Sequence, residues 1–212
     1  MTVRQDNAEL EANIRAHSDK GQLRQATTLL LEGYGREVLG FLITRLRDRD
    51  AGGEVFSRFT EDLWRGIASF RWQCSARVWA YTLARHAASR YQRETRRRRL
   101  VQLPLSVAGP ISAIAEQIRT GTLASARTET KSQLRLLRER LPLEDQTLLI
   151  LRINRGLAWS EIAQVMLHEG EVEDQALLEK GAARLRQRYQ AAKHKLRAMA
   201  DQSGLGRTRH GT

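Results

Sequence analysis

A single cysteine, Cys74, in 212 residues excludes an internal disulfide. Prolines number three, Pro104, Pro110 and Pro142, all in the second half, so proline bars none of the first hundred residues from helix. β-branched residues are sparse and no segment alternates apolar and polar side chains at period two, which argues against a sheet. No apolar run approaches the roughly 20 residues of a membrane span. The opening MTVRQDNAEL has no apolar stretch of the signal-peptide kind, so the expected compartment is the cytoplasm and no membrane partner is expected. The five histidines, His17, His86, His168, His194 and His210, show no ligand spacing, and GxxxxGK is absent. With no Cys cluster and no nucleophile beside a base, no metal, no cofactor and no enzymatic activity are expected.

Acids are also scarce. The chain carries 24 Asp and Glu against 36 Lys and Arg, a formal charge of +12, which points to a polyanionic partner. From Arg71 to Arg99 there are nine arginines and one acid, Glu94; from Ala182 to Met199 there are six Lys or Arg and no acid. Between Glu161 and Glu179 the sign reverses, with six acids and no Lys or Arg. Two basic patches flank a less basic middle, as suits a ligand touched at two places.

Apolar positions recur at helical spacing in Leu30, Tyr34, Val38, Phe41 and Leu42, in Val55, Phe59, Leu63 and Ile67, and in Trp79, Leu83, Ala87 and Tyr91. The expected class is all-α. Gly33 and Gly35 predict a loosening or restart of the first helix, Asp50-Ala-Gly-Gly53 a turn before the second, and Trp72 to Ser75 a third break. Residues 100–130 read as a linker with one weak helix near 111–119. Beyond it, Pro142 suits a helix start, with Glu144 and Asp145 complementing the N-terminal dipole, and Gly156 a helix end. A short helix from Trp159 to Met166 and a long basic one from Ala182 to Met199 have the make-up of a helix-turn-helix. The organisation expected is a helical domain over 1–99, a linker over 100–130, a helix-turn-helix domain over 131–200 and a tail over 201–212.

On a helical wheel, Trp79, Ala80, Leu83, Ala84, Ala87 and Tyr91 share one arc, expected to be core. Thr82, Arg85, His86, Ser89, Gln92 and Arg93 share the other, with Tyr81 near the boundary. An arginine face without acids at i,i+4 repels itself and needs a partner. Arginines that follow a backbone beside aromatics on which bases stack make a single-strand platform, each stacked base contributing about 1–3 kcal/mol. Basic amphipathic helices also serve membranes and acidic proteins, so this pattern alone leaves the partner open.

Two blocks add to that reading. The first is Trp64-Arg-Gly-Ile-Ala-Ser-Phe70-Arg71 followed by Arg77-Val-Trp79-Ala-Tyr81-Thr-Leu83-Ala84-Arg85 and Ala88. The second is Leu141-Pro142 with Glu144-Asp145, Leu148-Leu149, Leu151-Arg152, Gly156-Leu157, Ser160-Glu161-Ile162-Ala163, and a basic helix ending Lys195-Leu-Arg197. In this order, from about Leu23 to Ala200, they resemble the second and fourth conserved regions of extracytoplasmic-function sigma factors, bacterial promoter-specificity subunits of RNA polymerase in the sigma-70-like family.

The resemblance implies that the first unit docks on the clamp helices of the polymerase largest subunit through Glu54, Asp62 and Trp64. It implies capture of the unpaired −10 strand by Phe70, Arg71, Trp72, Ser75, Arg77, Tyr81, Arg85, His86, Ser89 and Arg93. The second unit would meet the flap of the second-largest subunit and read the −35 duplex through Arg184, Arg186, Gln187, Arg188 and Lys193. An anti-sigma factor is a further candidate partner. Ser57 and Arg58 stand where the family places amide and acid, and Ala158 where it places a capping Ser. The segment LHEGEVEDQALLEKGAA, with room for a small helix, replaces a short turn. Cys74 in the WQCS turn is read as a small side chain, not a redox sensor. The rivals are a helix-turn-helix regulator working without polymerase, and a helical adaptor for acidic surfaces.

Overall fold

The structure, a computed structural model, describes residues 2–98, 136–167 and 174–203. These residues are helical, joined by turns, with no strand among them. The chain divides into two compact units, Met1–Ser125 and Ala126–Thr212. The expected linker and the weak helix near 111–119 lie outside the described residues. Among the described residues no helix is long and apolar enough to cross a membrane, and no group of three or more His, Cys, Asp or Glu could hold a metal.

The first unit is built on α1 (Thr2–Asp19), α2 (Leu23–Leu46), α3 (Arg49–Gly66), a 3₁₀ turn (Ile67–Ser69) and α4 (Ala76–Arg98). Helix α2 packs against all three of the others. Leu30, Leu31, Phe41, Phe56, Phe59, Leu63 and Tyr81 fill the centre, none with measurable exposure.

Two glycine expectations fail here for one reason. Helix α2 runs without a break through Gly33 and Gly35, and α3 begins at Arg49, so Gly52 and Gly53 lie inside it. The turn is instead Arg47 in the left-handed region (φ 60°) followed by Asp48, whose carboxylate accepts from the Asp50 and Ala51 N–H groups at 2.8 and 3.0 Å. The glycines serve close approach. A Cβ at Gly33 would fall 2.2 Å from Leu10 Cδ2, and one at Gly52 would fall 2.7 Å from Ile43 Cγ1 and 3.0 Å from its Cα. Since part of the obstacle at Gly52 is backbone, Gly52→Val is expected to destabilise the unit by about 1–3 kcal/mol through overpacking. A lower urea midpoint at unchanged slope checks this.

The second unit opens, among described residues, with a helical turn over 136–139, followed by α5 (Leu143–Leu149) and its widened π-helical continuation Ile150–Asn154. Then come α6 (Trp159–Met166) and α7 (Gln175–Gln202). Pro142 stands at the start of α5, and Gly156 (φ 66°) follows its end, as the sequence indicates. Leu141, Leu149 and Ala192 form a buried cluster, covered by Tyr189, Leu196 and Met199. Ala158 offers no side-chain acceptor to α6, but half of a capping box survives: Glu161 Oε2 accepts from the Ala158 N–H at 2.6 Å.

The basic helix starts at Gln175 rather than Ala182. Asp174 caps it by accepting from the Ala176 and Leu177 N–H groups at 2.8 and 3.2 Å. Leu178 and Gly181 are buried, the latter where a Cβ would meet Leu167 Cδ1 at 2.4 Å. The described part of the acidic segment, from Asp174 onward, supplies the first turns of the basic helix; residues 168–173, where a small helix would also have room, lie outside the described residues.

Candidate nucleic-acid interface

Between α3 and α4, residues 70–75 leave the helix and three aromatic rings collect. Phe70 lies flat on Trp79, with centroids 4.4 Å apart and planes 10° apart, and tilts against Trp72 at 4.7 Å. Trp72 has φ 56°, a conformation costly for a bulky residue and held only where its surroundings fix it. The Arg15 guanidinium sits 5.6 Å from its ring centre. All three rings are half-buried, and Arg71 beside them is exposed. Half-open aromatic rings beside a cation at one turn are the groups a base-stacking platform needs.

Every N–H of the first turn of α4 is accounted for. Glu11 of α1 accepts from Ala76 and Arg77 at 2.7 and 2.9 Å, and Ser75 Oγ accepts from Val78 at 3.2 Å. The Trp79 N–H donates to the Ser75 carbonyl at 3.0 Å. Ser75, expected on DNA, thus spends its hydroxyl on a helix cap. The Tyr34 hydroxyl also donates to Glu11, at 2.9 Å; burial, then this carboxylate, push the phenol far above its ordinary range.

Three expectations for α4 change. The core side is rotated: Ala80, Tyr81, Ala84, Ala87 and Ala88 are buried, whereas Trp79 and Leu83 are only half-buried. The resemblance implies a −10 strand contact for Tyr81, but its ring has no exposure and meets Phe41 edge-on at 5.4 Å, so it presents no face to a base. Nor are all the arginines of α4 unpaired, because acids come from other helices. Arg77 binds Glu37 of α2 through two bonds, at 2.6 and 2.9 Å, both side chains being about one-fifth exposed. Arg90 pairs with Asp62. Arg77 is therefore a brace between α2 and α4.

Four exposed cations, Arg71, Arg93, Arg96 and Arg97, make no ion pair among the described residues. On a 100° wheel Arg93 and Arg97 share an outward arc with Trp79, Leu83 and half-buried His86. Arg85 and Ser89 lie to one side of it, half-buried, with Ser89 Oγ donating to the Arg85 carbonyl at 2.9 Å. Phe70, Arg71, Trp72 and Arg93 keep exposed or half-exposed side chains, as do Trp79, Arg96 and Arg97.

Cys74 is half-buried in the same turn. Burial first, and the Glu11 carboxylate second, push its thiol up to about 11 against a backbone hydrogen bond involving Trp79 that lowers it. The thiolate that reacts with oxidants is thus withheld at neutral pH. An unfolded cysteine ionises near pH 8.5, so at pH 8 iodoacetamide should alkylate the folded chain roughly a hundredfold more slowly than the unfolded one. The gap should close as pH rises toward 11.

The three residues expected to meet polymerase all stand on α3. Glu54 is exposed but bound to Arg58 at 2.7 Å, and Arg58 reaches on to Glu94 of α4 at 2.6 Å. Burial opposes the Arg58 charge, yet Glu94 and then Glu54 outweigh it and raise its pKa. Asp62 is the partner of Arg90. Trp64 is half-buried and lines an open cleft of about 580 Å³ with His17 and residues 21–25 of the α1–α2 corner.

In the second unit the five candidate readers do not share one face. Leu178, Gly181, Leu185 and Ala192 turn inward. Arg188 donates to the buried Asp145 of α5 at 2.5 Å, joining the basic helix to the dipole-complementing first turn. Arg186 lies 5.7 Å from the centre of the Trp159 ring and Lys193 5.4 Å from that of Tyr189, while the two rings meet edge-on at 5.3 Å. Arg152 also covers Trp159, at 4.9 Å, and donates to the Leu157 carbonyl at 2.7 Å. Arg184 and Gln187 are exposed elsewhere on the helix. Sequence reasoning missed Trp159, Tyr189 and Arg152; the run Arg186, Tyr189, Lys193 at helical spacing was the available signal.

No family model and no solved structure matches the chain. One curated protein, the RNA polymerase sigma factor YlaC of Bacillus subtilis (strain 168), is 27% identical over 139 residues, covering 65% of this chain and 77% of that protein. The two ordered motif blocks and the all-helical fold agree with this likeness to an RNA polymerase sigma factor.

Proposed function

We propose that the chain directs bacterial RNA polymerase core to promoters and holds the separated −10 strand at the 70–75 turn. The carrying observation is the cluster of Phe70, Trp72 and Trp79, half open beside exposed Arg71, with exposed Arg93, Arg96 and Arg97 roughly 20–27 Å further along α4. Stacking offers the strand energy only after its bases are unpaired, and the arginines offer its phosphates a charge that duplex and single strand share. In the second unit, α6 and α7 act as the helix-turn-helix. Arg186 and Lys193, propped on Trp159 and Tyr189, enter the −35 major groove.

The clamp helices of the largest subunit meet α3 around Trp64 and Asp62, and the flap of the second-largest subunit meets the second unit. Glu54 becomes available to that contact when Arg58 shifts its weight to Glu94. The protein works where the polymerase is, in the cytoplasm, and a separate anti-sigma factor can regulate it by covering either contact.

Unstacking costs about 1.4 kcal/mol per base-pair step on average, and a few captured bases at about 1–3 kcal/mol each do not offset a bubble of ten or so steps. Core polymerase is therefore required. The test is co-purification: tagged chain mixed with purified core should elute as a stoichiometric complex that survives moderate salt. Separate elution, with unaided footprints on duplex operators, would favour a polymerase-independent regulator.

A further inference from the structure

Helix α1 is absent from the resemblance, which begins near Leu23, yet it reaches both the first turn of α4, through Glu11, and Trp72 of the capture turn, through Arg15. Glu11 is half-buried and spends both carboxylate oxygens there: Oε2 accepts from the Ala76 N–H at 2.7 Å, and Oε1 from the Arg77 N–H at 2.9 Å and the Tyr34 hydroxyl at 2.9 Å. One turn further along α1, Arg15 reaches over Trp72 while also standing 3.9 Å from Asp19. Helix α1 is itself seated closely, since Leu10 fills the space a side chain at Gly33 would need.

We infer that Glu11, with Arg15 in support, is a positioning residue for strand capture: it clamps the start of α4 and so fixes the turn that carries Phe70 and Trp72. This rests on the reading of that turn as the strand-capture site. A helix start with free N–H groups attracts phosphate. Here those groups are taken by a carboxylate, whose charge also turns a phosphate away from the end of α4. The strand is left with the rings and with the outlying arginines. The left-handed Trp72 needs fixed neighbours on both sides, and the clamp supplies one of them through Arg15.

The test uses holoenzyme reconstituted from core and full-length chain, separating the closed-complex binding constant from the rate of isomerisation to the open complex. Glu11→Ala should slow isomerisation about tenfold with closed-complex binding within about twofold of wild type. Glu11→Gln, which keeps one acceptor and loses the charge, should fall between the two. If Glu11→Ala fails to fold, Arg15→Ala decides the matter: it leaves the cap intact and should slow isomerisation a few-fold, with the tryptophan emission of the turn shifted. Opening at the wild-type rate by the Arg15 variant and by whichever Glu11 variants fold would overturn the inference, as would equal losses in binding and isomerisation. Wild-type holoenzyme that forms no open complex at all would instead remove the reading beneath it.

Discussion

Tyr81→Ala is expected to cost the first unit about 3–5 kcal/mol, the usual range for removing a buried aromatic ring. Its ring has no exposure and sits edge-on to Phe41, on the side of α4 that packs against α2. Domains of this size have total stabilities near the low end of about 5–15 kcal/mol. So large a loss should leave much of the unit unfolded at growth temperature. Urea unfolding followed by tryptophan fluorescence checks it. Recruitment and opening should then fail together, because both draw on the same folded unit. A variant that melts like wild type and loses opening alone would restore Tyr81 to the strand.

The reverse pattern is expected for Phe70→Ala combined with Trp72→Ala. Both rings are half-buried at the rim of the unit, so little of the core goes with them. Two stacking faces at about 1–3 kcal/mol each should slow opening about thirtyfold or more, since 1.36 kcal/mol is a tenfold change in rate. Closed-complex formation, which the proposed function assigns to α3 and the second unit, should stay within about twofold. Permanganate reactivity of −10 thymines against time, beside a gel measurement of closed complexes, separates the two steps. Unchanged opening would show that the rings serve packing alone.

The contrast between these variants shows what the sequence could and could not tell. Helical class, the break before α4, the starts and ends of α5 and α6 and the aromatic make-up of the turn are readable because each depends on local signals: proline and glycine placement, apolar spacing and a run of aromatics. The face of Tyr81 was not readable. The chain of small residues Ala80, Ala84, Ala87 and Ala88 lets α4 lie close to its neighbours, and the core follows that stripe instead of the larger Trp79 and Leu83. Alanine weighs little on any hydrophobicity wheel, so the arc drawn from bulk was rotated.

The arginines were misjudged for a related reason. Counting acids within residues 71–99 finds only Glu94, but Glu37 and Asp62 stand on other helices and reach Arg77 and Arg90. Pairing across a tertiary contact leaves no mark at i,i+4. Gly33 and Gly52 give the same lesson for backbone: a helix crossing can need a missing Cβ just as a turn can, and only the partner, Leu10 or Ile43, distinguishes the two. Glu11 could be found in neither way, since a carboxylate capping a helix that starts at Ala76 has no sequence spacing to betray it.

The most direct test of the account is transcription itself. Purified core polymerase, the chain and linear duplex DNA from the genome that encodes it should together yield discrete run-off transcripts. Each transcript should start a fixed distance downstream of a melted segment, and neither protein alone should melt that segment. Strand opening by the free chain, or no transcript from any template when both proteins are present, would contradict the central claim that this surface holds DNA strands which the polymerase has separated.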